Sequence, residues 1–216
     1  KAADQGLEDS QFSMGLCYEE GTGVTQNLEQ AVYWYTKAAE QGHAQAQYHL
    51  ARMYYGRKRY PKDNKKCVYW LRKSAEQGYV SAQRFIGRIY EEGEGVTQNY
   101  NEAVKWFRKA AEQGLYASQN NLGICYEYGK GIEQNYEKAV KYYTMADKHG
   151  ERQATENLGY CYYYGRTGEV DYKKAYHYFV KGALDRHMVS LYKIGDMYKN
   201  GLYVEKDEKQ AYLIFK

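Results

Sequence analysis

Ser81–Gly114 reads SAQRFIGRIYEEGEGVTQNYNEAVKWFRKAAEQG, and the rest of the chain repeats it. Shifted against itself by 36 residues, the sequence realigns from end to end without a gap. Gly15, Ala51, Gly87, Gly123, Gly159 and Gly195 share one slot. Tyr18, Tyr54, Tyr90, Tyr126, Tyr162 and Tyr198 share a second, and Ala31, Cys67, Ala103, Ala139, Ala175 and Ala211 a third. The 216 residues therefore read as one array of six repeats, at approximately 1–42, 43–78, 79–114, 115–150, 151–186 and 187–216. In such an array each unit packs mainly on its neighbours, so a length prior for globular domains does not apply.

Each copy contains two helical patterns. In the third, Ala82, Ile86, Ile89 and Tyr90 recur at i, i+4, i+7 and i+8, the apolar stripe of a first helix. Gly87 lies beside that stripe, where glycine costs about 1 kcal/mol of helix propensity. Its recurrence predicts a close helix crossing with no room for a side chain. The GEG at 93–95 closes the helix, and Asn99 is placed to cap the next one. Its counterparts Asn27, Asp63, Asn135, Asp171 and Asp207 are all Asn or Asp. Gln30, Glu102 and Gln210 add the acceptor of a capping box in three copies. The second helix carries Ala103, Trp106, Phe107, Ala110 and Ala111, a mixture of small and large residues suited to interdigitation. It stops at Gly114, matched by Gly6, Gly42, Gly78 and Gly150, whereas the sixth equivalent is Arg186 and predicts a different turn.

The phrases LG-x-x-Y, G-x-G-V-x-x-[ND] and A-x-x-W-[YF]-x-KAA-x-x-G resemble the Sel-1-like repeat, a relative of the tetratricopeptide repeat. The resemblance covers essentially the whole chain. It implies an all-α fold, a right-handed α-solenoid of helix–turn–helix repeats with first helices on the concave side. It also implies an adaptor that assembles other proteins. Two copies depart from the pattern: the second replaces G-x-G-V with RKRYP (Arg57 to Pro61), and the fifth reads GRTGEV with its second glycine at Gly168. Both keep the repeat length, so their helices should survive with altered loops.

Composition supports a helical chain: 28 Tyr but a single Pro, and a net charge of +4 that does not by itself point to nucleic acid or membrane. No apolar run approaches the roughly 20 residues of a membrane span. Cys17, Cys125 and Cys161 occupy one slot that elsewhere holds Met53, Ile89 and Met197, and Cys67 stands where other copies have Ala. No copy holds two cysteines, so the pattern favours reduced core thiols and an intracellular setting over disulfides or metal ligation. The beginning at KAADQG and the end at AYLIFK read as a fragment cut within repeats at both ends. Tyr212, Ile214 and Phe215 on the last helix are then expected to promote end-to-end self-association.

Function is sought at slots that vary between copies. By similarity to tetratricopeptide arrays, the concave stripes are Phe12, Tyr48, Arg84, Asn120, Glu156 and Tyr192; Leu16, Arg52, Arg88, Ile124, Tyr160 and Asp196; and Glu19, Tyr55, Glu91, Glu127, Tyr163 and Lys199. Tyr and Arg dominate interface hot spots. The partner-binding candidates are therefore Tyr48, Arg52, Tyr55, Arg84, Arg88, Asn120, Tyr160 and Tyr163. The arginines would take an acidic side chain or a terminal carboxylate of a protein or peptide. The bland alternative is that Arg88 pairs with Glu91 or Glu92. A second reading is a regulatory scaffolding segment of a larger multidomain protein.

A loop with Arg57, Lys58, Arg59, Lys62, Lys65 and Lys66 offers an anion or nucleic-acid site, but without stacking aromatics beyond Tyr60 it ranks below a solvated charge run. Catalysis, a cofactor and a metal are not expected. His43, His49, His149, His177 and His187 occupy scattered slots, and GEGVTQ lacks the Gly-Lys-Ser/Thr ending of a phosphate loop.

Overall fold

The computed structural model describes Ala3 and residues 6–56, 60–184 and 188–216. Arg57, Lys58 and Arg59 of the basic loop, Arg186 and His187 lie outside the described residues. Among the described residues there are twelve α-helices and no strand. They run α1 (Glu8–Glu20), α2 (Leu28–Glu40), α3 (Ala44–Tyr54), α4 (Asn64–Glu76), α5 (Val80–Glu92), α6 (Tyr100–Glu112), α7 (Tyr116–Tyr128), α8 (Tyr136–Asp147), α9 (Arg152–Tyr163), α10 (Tyr172–Leu184), α11 (Met188–Asn200) and α12 (Glu208–Phe215). Two compact units are formed, Lys1–Gln113 with α1–α6 and Gly114–Lys216 with α7–α12.

Within each repeat, the first helix lies on an aromatic ring of the second. A Cβ added at Gly15 would lie 2.4 Å from the Tyr35 ring, at Gly87 2.6 Å from Phe107, and at Gly123 2.4 Å from Tyr143. At Gly159 it would lie 2.6 Å from Phe179, and at Gly195 2.5 Å from Phe215. No real carbon can sit so close, which accounts for the recurrent glycine. Ala51 is the exception because α4 presents Leu71, not a ring, at the matching slot. Magnitudes favour this arrangement: glycine in a helix costs about 1 kcal/mol, whereas full burial of a large apolar side chain gains about 1.5–3 kcal/mol. Tyr35, Leu71, Phe107, Tyr143 and Phe179 are all fully buried, while Phe215 on α12 remains 45% exposed.

The hinge between paired helices is set by one residue. The side-chain oxygen of Asn27 accepts the Gln30 N–H at 3.0 Å, Asn99 that of Glu102 at 3.1 Å and Asn135 that of Lys138 at 2.8 Å. Asp63, Asp171 and Asp207 cap α4, α10 and α12 in the same way. The expected capping box does not close. The backbone N–H of Asn27 donates instead to the Tyr18 carbonyl at 2.9 Å, and that of Asn99 to the Tyr90 carbonyl at 2.9 Å. The capping residue thus serves both helices, ending one and starting the other. Gly42 and Gly78 adopt φ of +103° and +90°, the left-handed turn that closes the second helix.

Polar ties link successive repeats in the first unit, at residues the motif reading passed over. Gln47 Nε2 donates to the Ala39 carbonyl at 3.0 Å, and Gln77 Nε2 to Gln47 Oε1 at 2.7 Å. Gln83 repeats this with Ala75 and Gln113 at 3.2 and 2.7 Å. These amides satisfy buried carbonyls that water cannot reach. Cys67, Cys125 and Cys161 are buried free thiols and Cys17 is a half-buried one. Burial pushes the Cys67 and Cys161 thiols up to about 12, which disfavours the reactive thiolate.

The glycine–ring contact makes a double-substitution prediction. Gly87→Ala should destabilise the chain by about 1–3 kcal/mol through overpacking. Adding Phe107→Leu, which copies the Ala51 and Leu71 pair, should recover much of that loss. Urea denaturation midpoints of the three proteins test it, and a Gly87→Ala variant as stable as the parent would refute the steric account.

Candidate functional site

Five of the eight candidate side chains converge in the first unit. Helix α3 presents Tyr48 and Arg52 one turn apart, and Tyr55 sits at its C-terminal cap. Helix α5 presents Arg84 and Arg88 one turn apart. Together with Phe85, these residues line a cleft of about 60 Å³. The Phe85 ring meets Tyr55 edge-on at 4.9 Å and Tyr48 at 6.4 Å. The Arg52 guanidinium lies 5.7 Å from the Tyr48 ring centroid, a cation–π contact. Arg88 bonds Glu92 at 2.5 Å, so the bland pairing holds for this residue, and that hydrogen bond raises its pKa. Among the described residues, no carboxylate stands within salt-bridge distance of Arg52 or Arg84. Phe85 was missed in the sequence because its slot holds Ser13, His49, Asn121, Asn157 and Lys193 elsewhere, with no shared chemistry.

The remaining candidates lie in the second unit. Asn120 is not an open contact residue: it is 2% exposed. Its amide accepts from Asn157 Nδ2 at 3.0 Å and donates to Gln153 Oε1 at 3.3 Å, ordering α7 against α9. Tyr160 and Tyr163 are half-buried and form a cluster with Tyr164. The Lys193 ammonium stands 5.6, 4.8 and 5.6 Å from the three ring centroids. Tyr163 also donates to Asp196 Oδ2 at 2.7 Å. Burial pushes the Tyr160 phenol up to about 12.

Two members of the third stripe point inward. Glu19 and Glu127 are 4% and 3% exposed. Each carboxylate accepts a hydrogen bond from the ring hydroxyl of its own repeat, Tyr35 or Tyr143. His49 Nδ1 adds a contact to Glu19 at 3.3 Å, and Arg166 pairs with Glu127. The chain shows why. Wherever the second helix carries tyrosine opposite the helical glycine, this slot is glutamate. The Phe107 repeat also has a glutamate there, Glu91, although its ring carries no hydroxyl, whereas the Phe179 repeat has Tyr163 and the Leu71 repeat has Tyr55. A buried phenol needs an acceptor and a buried carboxylate needs donors.

The basic loop is partly neutralised. Lys62 pairs with Glu94, and Lys66 lies 3.7 Å from Asp63 and 5.1 Å from the Tyr54 ring centroid. The described histidines have structural partners: His43 Nδ1 caps α3 by accepting the Ala46 N–H at 3.0 Å, His149 stacks on Tyr116 at 6.4 Å, and His177 packs on Tyr178 at 5.6 Å. Among the described residues, no group of three or more His, Cys, Asp or Glu is placed to hold a metal. No described helix is long and apolar enough to cross a membrane.

An all-α chain of stacked helix–turn–helix repeats, with variable Tyr and Arg on its first helices, defines a tetratricopeptide-like solenoid. The Sel1 repeat family model matches residues 8–43, 44–79, 80–115, 117–150, 152–187 and 189–216, and the chain belongs to that family. It is similar to c5321, a protective antigen of uropathogenic Escherichia coli described as displaying an SLR fold, at 34% identity and a TM-score of 0.92. That match covers 99% of this chain but 46% of the antigen, so the chain spans less than half of that relative. A Sel1 repeat protein from Oxalobacter formigenes is 32% identical, with a TM-score of 0.85 over 98% of this chain and 84% of that one. Cysteine rich protein B of Helicobacter pylori is 26% identical, with a TM-score of 0.50 over 62% and 96%. Among curated proteins, none matches. Sel1 repeat proteins generally act as protein–protein interaction scaffolds and are typically non-catalytic.

The buried phenol of Tyr35 makes stability pH-dependent. Burial, then the hydrogen bond to Glu19, raises its pKa far above the ordinary 10.0. The folded state holds this proton more tightly, so its contribution is full below pH 10 and is lost as pH rises beyond. The slope is about 1.4 kcal/mol per pH unit for one such group. Tyr35→Phe should start less stable at neutral pH and lose stability less steeply above pH 10. Parallel slopes in chemical denaturation at alkaline pH would contradict this.

Proposed function

We propose that the chain is a non-catalytic interaction scaffold whose α3 and α5 face receives an acidic side chain or chain-terminal carboxylate of a partner protein or peptide. The observation that carries this reading is the cleft where Arg52 and Arg84 stand beside Tyr48, Tyr55 and Phe85, with no carboxylate partner among the described residues. A fork of guanidinium N–H groups matches a carboxylate, and the rings exclude water and strengthen the pairing. Arg88 enters only if Glu92 yields it, so it acts as a third, latched donor. Tyr160 and Tyr163 provide a separate aromatic contact surface on α9, and Asn120 has no part in either.

Binding of a glutamate-rich peptide with a free C-terminus, measured by calorimetry, tests the arrangement. Arg52→Ala with Arg84→Ala should weaken it by about tenfold or more, the scale of a lost charge-assisted hot spot. Arg88→Ala alone should do less, and added salt should weaken the parent complex. An affinity unchanged in the double variant would remove the cleft from consideration.

A further inference from the structure

A larger cleft, of about 610 Å³, lies on the second-helix side of the second unit and is separate from both surfaces described above. Its walls are Tyr162 of α9, Tyr176 and Tyr178 of α10, and Tyr203 of the loop before α12, with Lys173 and Lys174 at the rim. Two of these tyrosines break the repeat. Tyr176 occupies the slot of Val32, Val68, Val104 and Val140, which is tyrosine again at Tyr212 on the last helix. Tyr203 occupies that of Gly23, Gly95 and Gly131, whose φ values are +73°, +79° and +67°. Tyr203 keeps the left-handed backbone at φ +65°, the sole non-glycine residue to do so among the described residues. A side chain is unfavourable there and persists where surrounding structure holds it. The Tyr203 ring lies 5.6 Å from Tyr176, so the paired change from valine and glycine to two tyrosines builds a wall the other repeats lack.

The lining chemistry discriminates between ligands. Tyr162 and Tyr178 stack at 5.8 Å with an interplanar angle of 4°, and the Lys174 ammonium lies over the Tyr162 ring at 5.0 Å from its centroid. The carboxylate of Asp171 is committed to Lys174, accepting its backbone N–H at 2.9 Å and its ammonium at 3.2 Å. No uncommitted carboxylate or amide side chain lines the cleft to fix the hydroxyls of a sugar. The tyrosine rings and the exposed Lys173 instead match the proline rings and acidic flank of a polyproline II segment, while the Tyr176 hydroxyl is shared with Tyr198. Lys173 has no carboxylate within salt-bridge distance among the described residues. We propose that this tyrosine-walled cleft binds a proline-rich peptide segment with acidic flanking residues, and that Tyr203 is retained for that contact against its backbone preference.

The test uses an oligoproline peptide with glutamates at both ends, titrated into the isotope-labelled chain and followed by amide chemical shifts and calorimetry. The parent should bind with shifts confined to α10, Tyr162 and the loop before α12. Tyr203→Gly should lose about tenfold or more in affinity, as for a central aromatic anchor, with a melting midpoint no lower than the parent's. Should glycine lower the midpoint, Tyr203→Asn, which tolerates the same backbone, repeats the measurement and decides. Lys173→Glu should weaken binding severalfold. No binding by the parent, undiminished binding by the Tyr203 variants, or equal binding of a proline-free glutamate peptide would each overturn the proposal. None of these outcomes bears on the Arg52 and Arg84 cleft of the first unit.

Discussion

The contact between a helical glycine and the ring of the following helix governs this chain. Without a Cβ, the first helix can lie directly on Tyr35, Phe107, Tyr143, Phe179 or Phe215. That approach sets the spacing of each helix pair, and the spacing sets which other side chains can reach across. The Asn or Asp at the turn holds the same pair at its loop end. In every repeat but the second it acts beside a glycine–ring contact, and in the second Asp63 does the same beside Ala51, capping α4 and donating its N–H to the Tyr54 carbonyl. The result is a helix pair whose joining contacts are made without the outward-facing residues.

That independence leaves the outward slots free to differ, though not all of them equally. Glu19 and Glu127 are each tied to a buried ring hydroxyl, so in those two repeats the slot serves packing. Tyr55 and Tyr163 fall in the two repeats with irregular loops, where the first helix ends in a tyrosine cap or last residue in place of a left-handed glycine. Each meets the next repeat's residue at the slot of Phe85 and Lys193. The Tyr55 and Tyr163 surfaces proposed for partner contact thus lie where the repeat pattern is least regular. There a partner can be specified without disturbing the glycine–ring contact.

Much of the fold was legible in the sequence because its determinants are local and recur. Helical periodicity, six Asn or Asp caps and the closing glycines require only residue type and spacing, and repetition averages away the noise of any one copy. The crossing glycine was legible as a demand for space, but the ring that imposes it was not, since it lies some twenty residues away on another helix. The cysteine slot was readable as core from its exchange with methionine and isoleucine.

The sequence by itself determined the period, the helix pair, the caps and a short list of variable slots. Only the tertiary structure decided which of those slots face outward. It turned Glu19, Glu127 and Asn120 inward, bound Arg88 to Glu92, and brought Phe85 to Arg52 and Arg84. It also revealed Tyr203 as a tyrosine in a glycine's backbone, beside a tyrosine in a valine's place. The physical reason is common to all of these. Burial and pairing depend on what the neighbouring helix presents at that height, and a repeat pattern states the height without stating the neighbour.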